Sequence, residues 1–306
     1  MAGITGKDAT LTAYAEKLAM SDAPKGRSLT QEAIRRLIAN RAALVSIFVL
    51  LAIVIVALVG PHFLPYTFDE VDWGSIRKPP DFAKAHFLGT DQNGRDLLAR
   101  TLQGTQVSLL VALVATSVSV VIGVIYGAVS GYFGGRVDAL MMRTVDVMYA
   151  LPYILFVIIL MVMFGRNFVL LFVGIGAIEW LTMARIVRGQ TLSLKEREFI
   201  EAARAGGARS MTIIMRHIVP NLTGPVVIYA TLTVPEIIIT ESFLSYLGLG
   251  VQEPLTSLGT LISNGAAVAE ALPWLLISPA IVLVSMLLCL TYIGDGLRDA
   301  LDPKDR

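Results

Sequence analysis

Three acidic residues interrupt stretches of the chain that are otherwise apolar, and acids in such places can carry protons or bind polar solutes. They are Glu179, Glu236 and Glu241. A carboxylate at membrane depth is costly unless it faces protein or water, which makes each residue a functional candidate by default. Glu236 and Glu241 are five residues apart, about 140° around a helix, so they need not share a face. Glu236 and Glu241 are our candidates for lining the path of a solute. For Glu241 the alternative is a structural role.

A second polar constellation is the stretch "GTDQNGRD" at residues 89–96. Asp91 and Asn93 are spaced like ligands of a calcium loop, but the glycine that follows comes too early for an EF-hand. The simplest interpretation is a tight turn in which Arg95 and Asp96 form salt bridges. The alternative is a surface at which Asp91, Arg95 and Asp96 contact a partner protein.

Motifs for catalysis and metal binding are missing from the sequence. Its three histidines, His62, His86 and His217, are too far apart to form a metal-binding pair, and we expect His62 and His86 to be solvated loop residues. No phosphate-binding G-x-x-x-x-G-K-[ST] loop occurs, so the chain is not expected to hydrolyse ATP. It has no H-E-x-x-H, and residues 292–296 lack the first glycine of a G-x-G-D aspartyl site. We predict a protein with no catalytic residues, no metal and no cofactor of its own.

The composition indicates that these polar residues sit in a membrane protein. Hydrophobic residues make up 55% of the 306, charged residues only 16%, and the mean hydropathy is +0.69. Soluble domains contain about 25% charged residues. The formal net charge is +1, which gives no reason to expect a strongly charged partner such as nucleic acid. Membrane lipid is the expected surrounding of the chain.

Six segments are apolar enough to cross the hydrocarbon core, which takes about 20 residues. They are residues 42–66, 107–131, 147–165, 168–184, 225–247 and 275–294. We predict an all-α integral membrane protein with six transmembrane helices. Residues 1–41 would form a polar segment with an amphipathic interfacial helix, 67–106 a periplasmic loop and 295–306 a cytoplasmic tail. The last five spans, within 107–294, would form one core.

The distribution of lysine and arginine predicts the side of the membrane on which each loop lies. Basic residues cluster in 1–43 and in 185–222, whereas 247–274 contains no lysine or arginine. Because basic loops stay on the cytoplasmic side, we place both termini and the 185–222 loop there.

One apolar segment carries a stripe of small residues at every fourth position. Its members are Ala115, Ser119, Gly123, Gly127 and Gly131. Such a stripe lets another helix approach closely. The alternative is that this face lines a pore.

The 185–222 loop contains two helical patterns separated by glycines, within "SLKEREFIEAARAGGARSMTIIMRHIVP" at 193–220. Ser193 and Glu196 have capping-box spacing, which predicts a helix that begins at Leu194. No lipid-facing helix needs this many charges, and an ordinary linker would not keep a helical period. The loop therefore has a task of its own.

The faces of these two helices suggest what that task is. The first has a narrow face of mostly small residues: Phe199, Ala202, Ala203 and Gly206. Gly206 and Gly207 then allow the chain to turn. For the second helix the pattern predicts a cap at Ser210 and one apolar face: Met211, Ile214, Met215 and Ile218. The small-residue face fits a cleft on another protein, or it packs on the protein's own bundle.

Residues 201–203, Glu-Ala-Ala, followed by Gly207 and Pro220, resemble the EAA signature of ABC-importer permease subunits; His217 departs from that pattern. The resemblance extends over nearly the whole chain, in "FLGTDQNGRDLLAR" (87–100), "ARIVRGQTLSLKEREFIEAA" (184–203), "ESFLSYLGLGVQEP" (241–254) and "IGDGLRDALDPKDR" (293–306). Together these motifs are similar to the second permease subunit of bacterial oligopeptide and dipeptide importers, most like the C-type subunit of the oligopeptide branch.

This resemblance implies a type I ABC-importer permease fold in the bacterial inner (cytoplasmic) membrane. The implied partners are a homologous second permease subunit, two cytoplasmic ATPase subunits that bind ATP and Mg, and a periplasmic peptide-binding protein. In this family the EAA helix docks on the ATPase. The coupling residues would be Glu201, Ala202, Ala203 and Gly207, flanked by Arg197, Glu198 and Arg204.

The resemblance leaves the cargo open. It implies oligopeptides, with dipeptides, murein peptides or nickel chelates as alternatives. A distant alternative of another class is a proton-coupled secondary transporter, in which an acid such as Glu236 would carry the proton.

Overall fold

The computed structural model describes residues 29–165 and 168–301, and its regular elements are helices. In chain order these are α1 (Leu29–Ala39), α2 (Arg41–Val59), α3 (Leu97–Phe133), α4 (Gly135–Ala150), α5 (Tyr153–Phe164), α6 (Phe168–Leu194), α7 (Glu198–Ala205), α8 (Ser210–Ile213, continued by a π-helical turn at Ile214–Ile218 and by Val219–Asn221), α9 (Thr223–Tyr246), α10 (Leu258–Ala266) and α11 (Trp274–Leu301). The predicted segment 1–41 and tail 295–306 therefore lie partly outside the described residues.

Four helices in the described ranges are long and apolar enough to cross a membrane: α2 with the turn after it, α3, α9 and α11. The pair α4 and α5 counts as a fifth if it is one span broken by a 77° bend. Helix α6 covers the fourth predicted span but continues to Leu194, and its second half carries Arg185 and Arg188. The structure thus supports an all-helical protein with four or five candidate spans, and the predicted number of six is not confirmed.

The third predicted span, 147–165, is not one continuous helix. Helix α4 ends at Ala150, Leu151 is extended with φ −78° and ψ 131°, and α5 begins at Tyr153. Pro152 has no backbone N–H and disfavours helical geometry in the residue before it, which explains the break. The first residues of the predicted span therefore belong to a separate helix.

The small-residue stripe lies on α3, and it is where α3 packs against α6. A Cβ atom on Gly123 would lie 2.6 Å from the Cβ of Met183, and one on Gly127 would lie 2.4 Å from the carbonyl oxygen of Ala184. All five members of the stripe are buried. The packing interpretation is therefore confirmed, because no larger side chain would allow the two backbones to come so close.

The bundle has two ends with different chemistry. The loop end consists of residues 60–96 and 247–273, and Trp274 joins the two loops by donating from Nε1 to the Thr90 carbonyl at 3.4 Å. The basic end holds α1, α4, α7 and α8, and α1 packs there on α11. Helix α3 runs from one end to the other.

Two apolar clusters occupy the interior at different heights. One lies nearer the loop end and includes Val111, Val157, Ile237, Leu258 and Met286. The other lies nearer the basic end and includes Val124, Val187, Ile200, Ile214 and Leu222. The second cluster contains a residue of α7, so the short loop helix is packed into the bundle.

Candidate functional site

Helix α7 is the central element of the candidate site, and it begins later than the sequence suggests. The prediction from the capping box that the helix begins at Leu194 is wrong. Helix α6 continues to Leu194, and the Lys195 N–H still donates to Thr191 O at 2.9 Å. Arg197 is the N-cap of α7, with no hydrogen bond from its side chain to the helix. Glu198 in the first turn and Arg204 in the last suit the helix dipole.

The end of α7 is a Schellman motif, and it explains the second glycine of the Gly-Gly pair. The N–H of Ala208 donates to Ala203 O at 3.1 Å, and that of Gly207 donates to Arg204 O at 3.0 Å. Gly207 has φ +77°, a left-handed conformation that a residue without Cβ adopts at no steric penalty. The predicted turn at this position is confirmed.

Almost all of α7 faces away from the bundle. Ile200 is its one fully buried residue, with 0% of its surface exposed, and Ala203 is half-buried. The other predicted coupling residues are exposed: Arg197, Glu198, Glu201, Ala202, Arg204 and Gly207. The predicted small-residue face thus lies mostly on the outside, where the ring of Phe199 is 42% exposed.

Ile200 anchors α7 to three other helices. Its side chain belongs to the apolar cluster formed by Val124 of α3, Val187 of α6 and Ile214 of α8. On the neighbouring side, the Arg204 guanidinium lies 5.7 Å from the centre of the Tyr132 ring at the end of α3. The exposed helix is therefore held on the bundle by the buried Ile200, by the half-buried Ala203 beside it and by one cation–π contact.

Helix α8 buries half of its predicted apolar face. Ile213, Ile214 and Ile218 are buried, whereas Met211 and Met215 are exposed. The cause is the π-helical turn, in which the Val219 N–H donates to Ile214 O, so a period of 3.6 does not hold across it. The predicted cap is also wrong, because Ser210 is the first helical residue and Arg209 is the N-cap.

An ion pair that sequence analysis missed connects α4 with α6 near the basic end. Arg188 donates from Nε and Nη2 to the two carboxylate oxygens of Asp138 at 2.5 and 2.6 Å. Ser130 of α3 donates to the same carboxylate at 2.5 Å. No spacing in the sequence could have indicated the pair, since its members lie on different helices.

The intramembrane acids occupy different environments. Glu241 is fully buried and accepts hydrogen bonds from Ser245 at 2.7 Å and from Ser108 at 3.2 Å. Glu236 is exposed on α9, and Glu179 of α6 is half-buried. The two acids of α9 therefore lie on different faces, which their spacing allows.

Of the salt bridges that the simplest interpretation predicts in the 89–96 loop, those of Arg95 are present, whereas Asp96 faces His86 and caps a helix. Arg95 donates from Nε to Asp91 Oδ2 at 2.9 Å and from Nη2 to Glu253 Oε1 at 2.7 Å, which ties together the two loops of the loop end. Asp96 caps α3 by accepting from the Ala99 N–H at 2.8 Å. The Arg95 guanidinium lowers the pKa of Glu253 below its ordinary value, chiefly through the hydrogen bond.

His86 is not the solvated residue that the sequence suggests. It is 1% exposed, its ring stacks on Tyr66 with centres 4.3 Å apart, and Nδ1 lies 2.9 Å from the Asp96 carboxylate. Asp72 faces its other nitrogen at 3.4 Å. His62 is exposed, as expected.

Two family descriptions match this sequence. Residues 119–306, more than half of the chain, match the inner membrane component of binding-protein-dependent transport systems. Residues 28–80 match the N-terminal TM domain of oligopeptide transport permease C. The chain belongs to the family of binding-protein-dependent transport inner membrane components.

Curated relatives of this permease carry a consistent name. This permease is 52% identical over 297 residues to the oligopeptide transport system permease protein OppC of Escherichia coli K12, and the alignment covers 97% of both chains. The protein of the same name from Haemophilus influenzae is 53% identical over 282 residues, with 92% of this chain and 91% of the relative covered. The Bacillus subtilis protein is 40% identical over 282 residues, with 92% of each chain covered.

These matches establish the general role of the permease. It is a transmembrane component of an ABC importer and, like its relatives, a transport subunit and not a catalytic one. Its resemblance to ABC-importer permeases of the oligopeptide branch is confirmed. The larger family match covers residues 119–306, which include the 184–203 motif of the basic end and the two glycines after it, Gly206 and Gly207.

Proposed function

We propose that this permease is one of two transmembrane subunits of an ATP-driven importer that carries oligopeptides from the periplasm to the cytoplasm. The names of its relatives support the cargo. The concentration of arginine and lysine at the basic end supports a cytoplasmic position for that end and for both termini. The loop end would then face the periplasm. In this proposal α5 and α6 complete the six spans of a type I permease.

The proposed assembly contains three kinds of partner protein. A homologous permease lies beside this chain in the membrane lipid, two cytoplasmic ATPases bind below, and a periplasmic protein delivers the peptide. ATP and Mg are held by the ATPases. These partners follow from the importer class to which the relatives belong.

The observation that carries the proposal is the outward exposure of α7 on a single buried anchor. Helix α7 has one residue in the core, Ile200, while Phe199 and Ala202 project from the surface. An exposed aromatic ring beside a small residue presents a ridge that a cleft of another protein can enclose. Contact with an ATPase would cover this ridge and the charges of Glu201 and Arg204 on its flanks.

The packing also provides a route by which a movement of α7 reaches the membrane. Ile200 contacts the same cluster as α3, α6 and α8, and α8 leads directly into α9. The ion pair of Arg188 with Asp138 extends the connection to α4. Ligands shift an equilibrium only through different affinities for its two states. In our proposal ATP favours the state open to the periplasm, and loss of ATP favours the state open to the cytoplasm.

The two acids of α9 receive different roles in this proposal. Glu236, exposed on the helix, is our candidate for lining the path of the peptide. Glu241 is enclosed by hydroxyl groups of Ser108 and Ser245, which suits a residue that holds the loop end of α9 in place.

The proposal is tested by Glu201→Lys in the complete importer reconstituted in vesicles. Reversing the charge of this exposed residue should abolish ATP-driven uptake of a labelled pentapeptide, while membrane insertion stays normal. Glu270→Gln, an exposed residue at the loop end, is the control and should transport like the wild type. Normal uptake by Glu201→Lys would refute the coupling role of α7.

The same vesicles decide between the cargo alternatives. Competition by dipeptides, tripeptides, murein peptides and nickel chelates ranks the substrates. Uptake driven by a proton gradient without the ATPases would instead identify a secondary transporter.

A further inference from the structure

The loop end contains a buried arginine with two nitrogen atoms that make no hydrogen bond to the residues that the structure describes. Arg100, in the first turn of α3, is 1% exposed, and its Nε and Nη1 have no hydrogen-bond partner within 29–165 and 168–301. The nearest acid is Asp91, whose Oδ2 lies 3.5 Å from Nε. That oxygen already accepts from Arg95 at 2.9 Å, and Oδ1 accepts from two backbone N–H groups. Arg100 thus lies next to a carboxylate whose two oxygens already accept hydrogen bonds from other groups.

Arg100 lines a cavity of about 210 Å³ that is open to the surface of the loop end. Its walls come from residues 91–95, the start of α3, α10 and the start of α11. Asn264 and Gln92 contribute amide groups to the wall, and Leu97 and Leu275 contribute apolar surface. The cavity therefore combines a guanidinium whose Nε and Nη1 make no hydrogen bond with neutral amide groups and an apolar wall.

The charges around the cavity balance in number, but the two acids are hydrogen-bonded to Arg95 and to the backbone and not to Arg100. Arg95 is paired on both sides, with Asp91 and with Glu253. The pKa of Glu253 is lowered by its hydrogen bond to Arg95, so this carboxylate is ionised at neutral pH. Two arginines and two acids surround the cavity, yet the hydrogen bonds of both acids go to Arg95 and to the backbone.

A carboxylate is the group that fits these features best. The guanidinium is a planar fork whose N–H groups match the two oxygens of a carboxylate, and it stays protonated in proteins. Neutral amide donors beside it can complete the hydrogen bonds of the anion. Ligand pockets usually measure about 300–1,000 Å³, so this smaller cavity suits the end of a molecule better than a whole peptide.

We propose that Arg100 and this cavity form a binding site for the C-terminal carboxylate of a peptide on the loop-end side of the permease. The identification of the carboxylate as a peptide terminus rests on the proposed function, whereas the carboxylate site itself does not. A merely structural arginine would be expected to have its N–H groups satisfied by the protein.

The test measures binding by the full-length chain in lipid nanodiscs, without ATPases or transport. A ligand that binds only the folded state raises the midpoint of thermal unfolding in proportion to the logarithm of its concentration above Kd. We expect such a rise with sodium acetate and with N-acetyl-dialanine, and no rise with N-acetyl-dialanine amide. Sodium chloride at the same ionic strength controls for a general effect of anions, and an equal response to chloride would overturn the assignment.

Two variants locate the effect. Arg100→Gln should abolish the response to acetate and raise the midpoint without ligand, because a buried charge with unsatisfied N–H groups is destabilising. Arg77→Gln removes an exposed arginine from the same end and should respond like the wild type. A lowered midpoint in Arg100→Gln with an undiminished acetate response would show that Arg100 is structural, against the proposal.

The outcomes distinguish whether the cavity binds a carboxylate at all from which molecule supplies that carboxylate. A response to acetate but not to the peptide acid supports the site and assigns it to an acidic side chain of a partner protein. If Arg100→Gln does not fold, the acid and the amide are still compared on the wild type. Equal responses to both would overturn the proposal, and a failure of uptake in vesicles would not affect it.

Discussion

The anchoring of α7 by Ile200 leads to a quantitative prediction. The helix has eight residues, and an isolated helix shorter than about 12 residues is not stable in water. Its stability must therefore come from contacts with the bundle, and Ile200 is the one side chain of the helix that these contacts bury fully. Removing one methyl group in Ile200→Val should cost about 0.5–1.5 kcal/mol, and Ile200→Ala about 2–5 kcal/mol. A loss of about 3 kcal/mol raises the population of detached α7 on the order of a hundredfold.

The assay is hydrogen exchange of peptides that cover residues 198–205, followed by mass spectrometry, in the complete importer. Exchange should accelerate slightly in Ile200→Val and by about two orders of magnitude in Ile200→Ala. ATP-driven uptake should fall in the same order, because a detached helix cannot pass a displacement on to α3 and α6.

Phe199→Ala is the matched control for stability. Its side chain is exposed, so exchange should change little, while uptake should fall if the ring docks on an ATPase. Wild-type exchange in Ile200→Ala would refute the anchoring argument. Accelerated exchange with full uptake would instead refute the mechanical role of α7.

Three further predictions follow from the structure. Gly207→Val places a β-branched residue at φ +77°, which should cost about 1–2 kcal/mol and reduce uptake without affecting insertion of the chain, as measured by membrane fractionation. Gly127→Ala brings a Cβ to 2.4 Å from a backbone oxygen of α6 and should destabilise by about 1–3 kcal/mol in denaturant titration, whereas Gly189→Ala, with nothing within 4 Å, should be neutral or stabilising. Arg95 lowers the pKa of Glu253, so the pair stabilises the folded state above the ordinary carboxyl pKa of 4.5 and this stabilisation is lost as the pH falls below it. The unfolding midpoint of the wild type should therefore drop in acid, and Glu253→Gln should lack this part of the drop.

Apolar length and small-residue spacing predicted much of the bundle. The continuous apolar run that starts at Ala42 gave α2, and the fourfold spacing of Gly123 and Gly127 indicated a close helix pair. These features depend on local composition and period. Pro152 predicted a kink or a helix boundary, and the helix does end just before it. That the residues before it form a separate helix was not predicted, because proline inside a membrane helix is tolerated in some packings and breaks the helix in others.

The features that depend on distant partners could not be predicted. His86 is buried because Tyr66 and Asp96 surround it, and neither spacing indicates a contact. The same holds for the bond between Arg95 and Glu253, which lie in different loops. In the candidate site the sequence predicted the turn at Gly207, but it did not identify the anchor of α7.

Helix α3 has 37 residues and is therefore about 55 Å long, far more than the roughly 30 Å of hydrocarbon in a bilayer. Its first turn carries the arginine of the loop-end cavity, and its last turn carries Tyr132, which contacts Arg204 of α7. A stiff rod of this length cannot tilt at one surface without tilting at the other. In the proposed importer, ligand binding in the loop-end cavity and ATP binding by the ATPases would then both change the tilt of α3, so no other helix would be needed to connect the two sites.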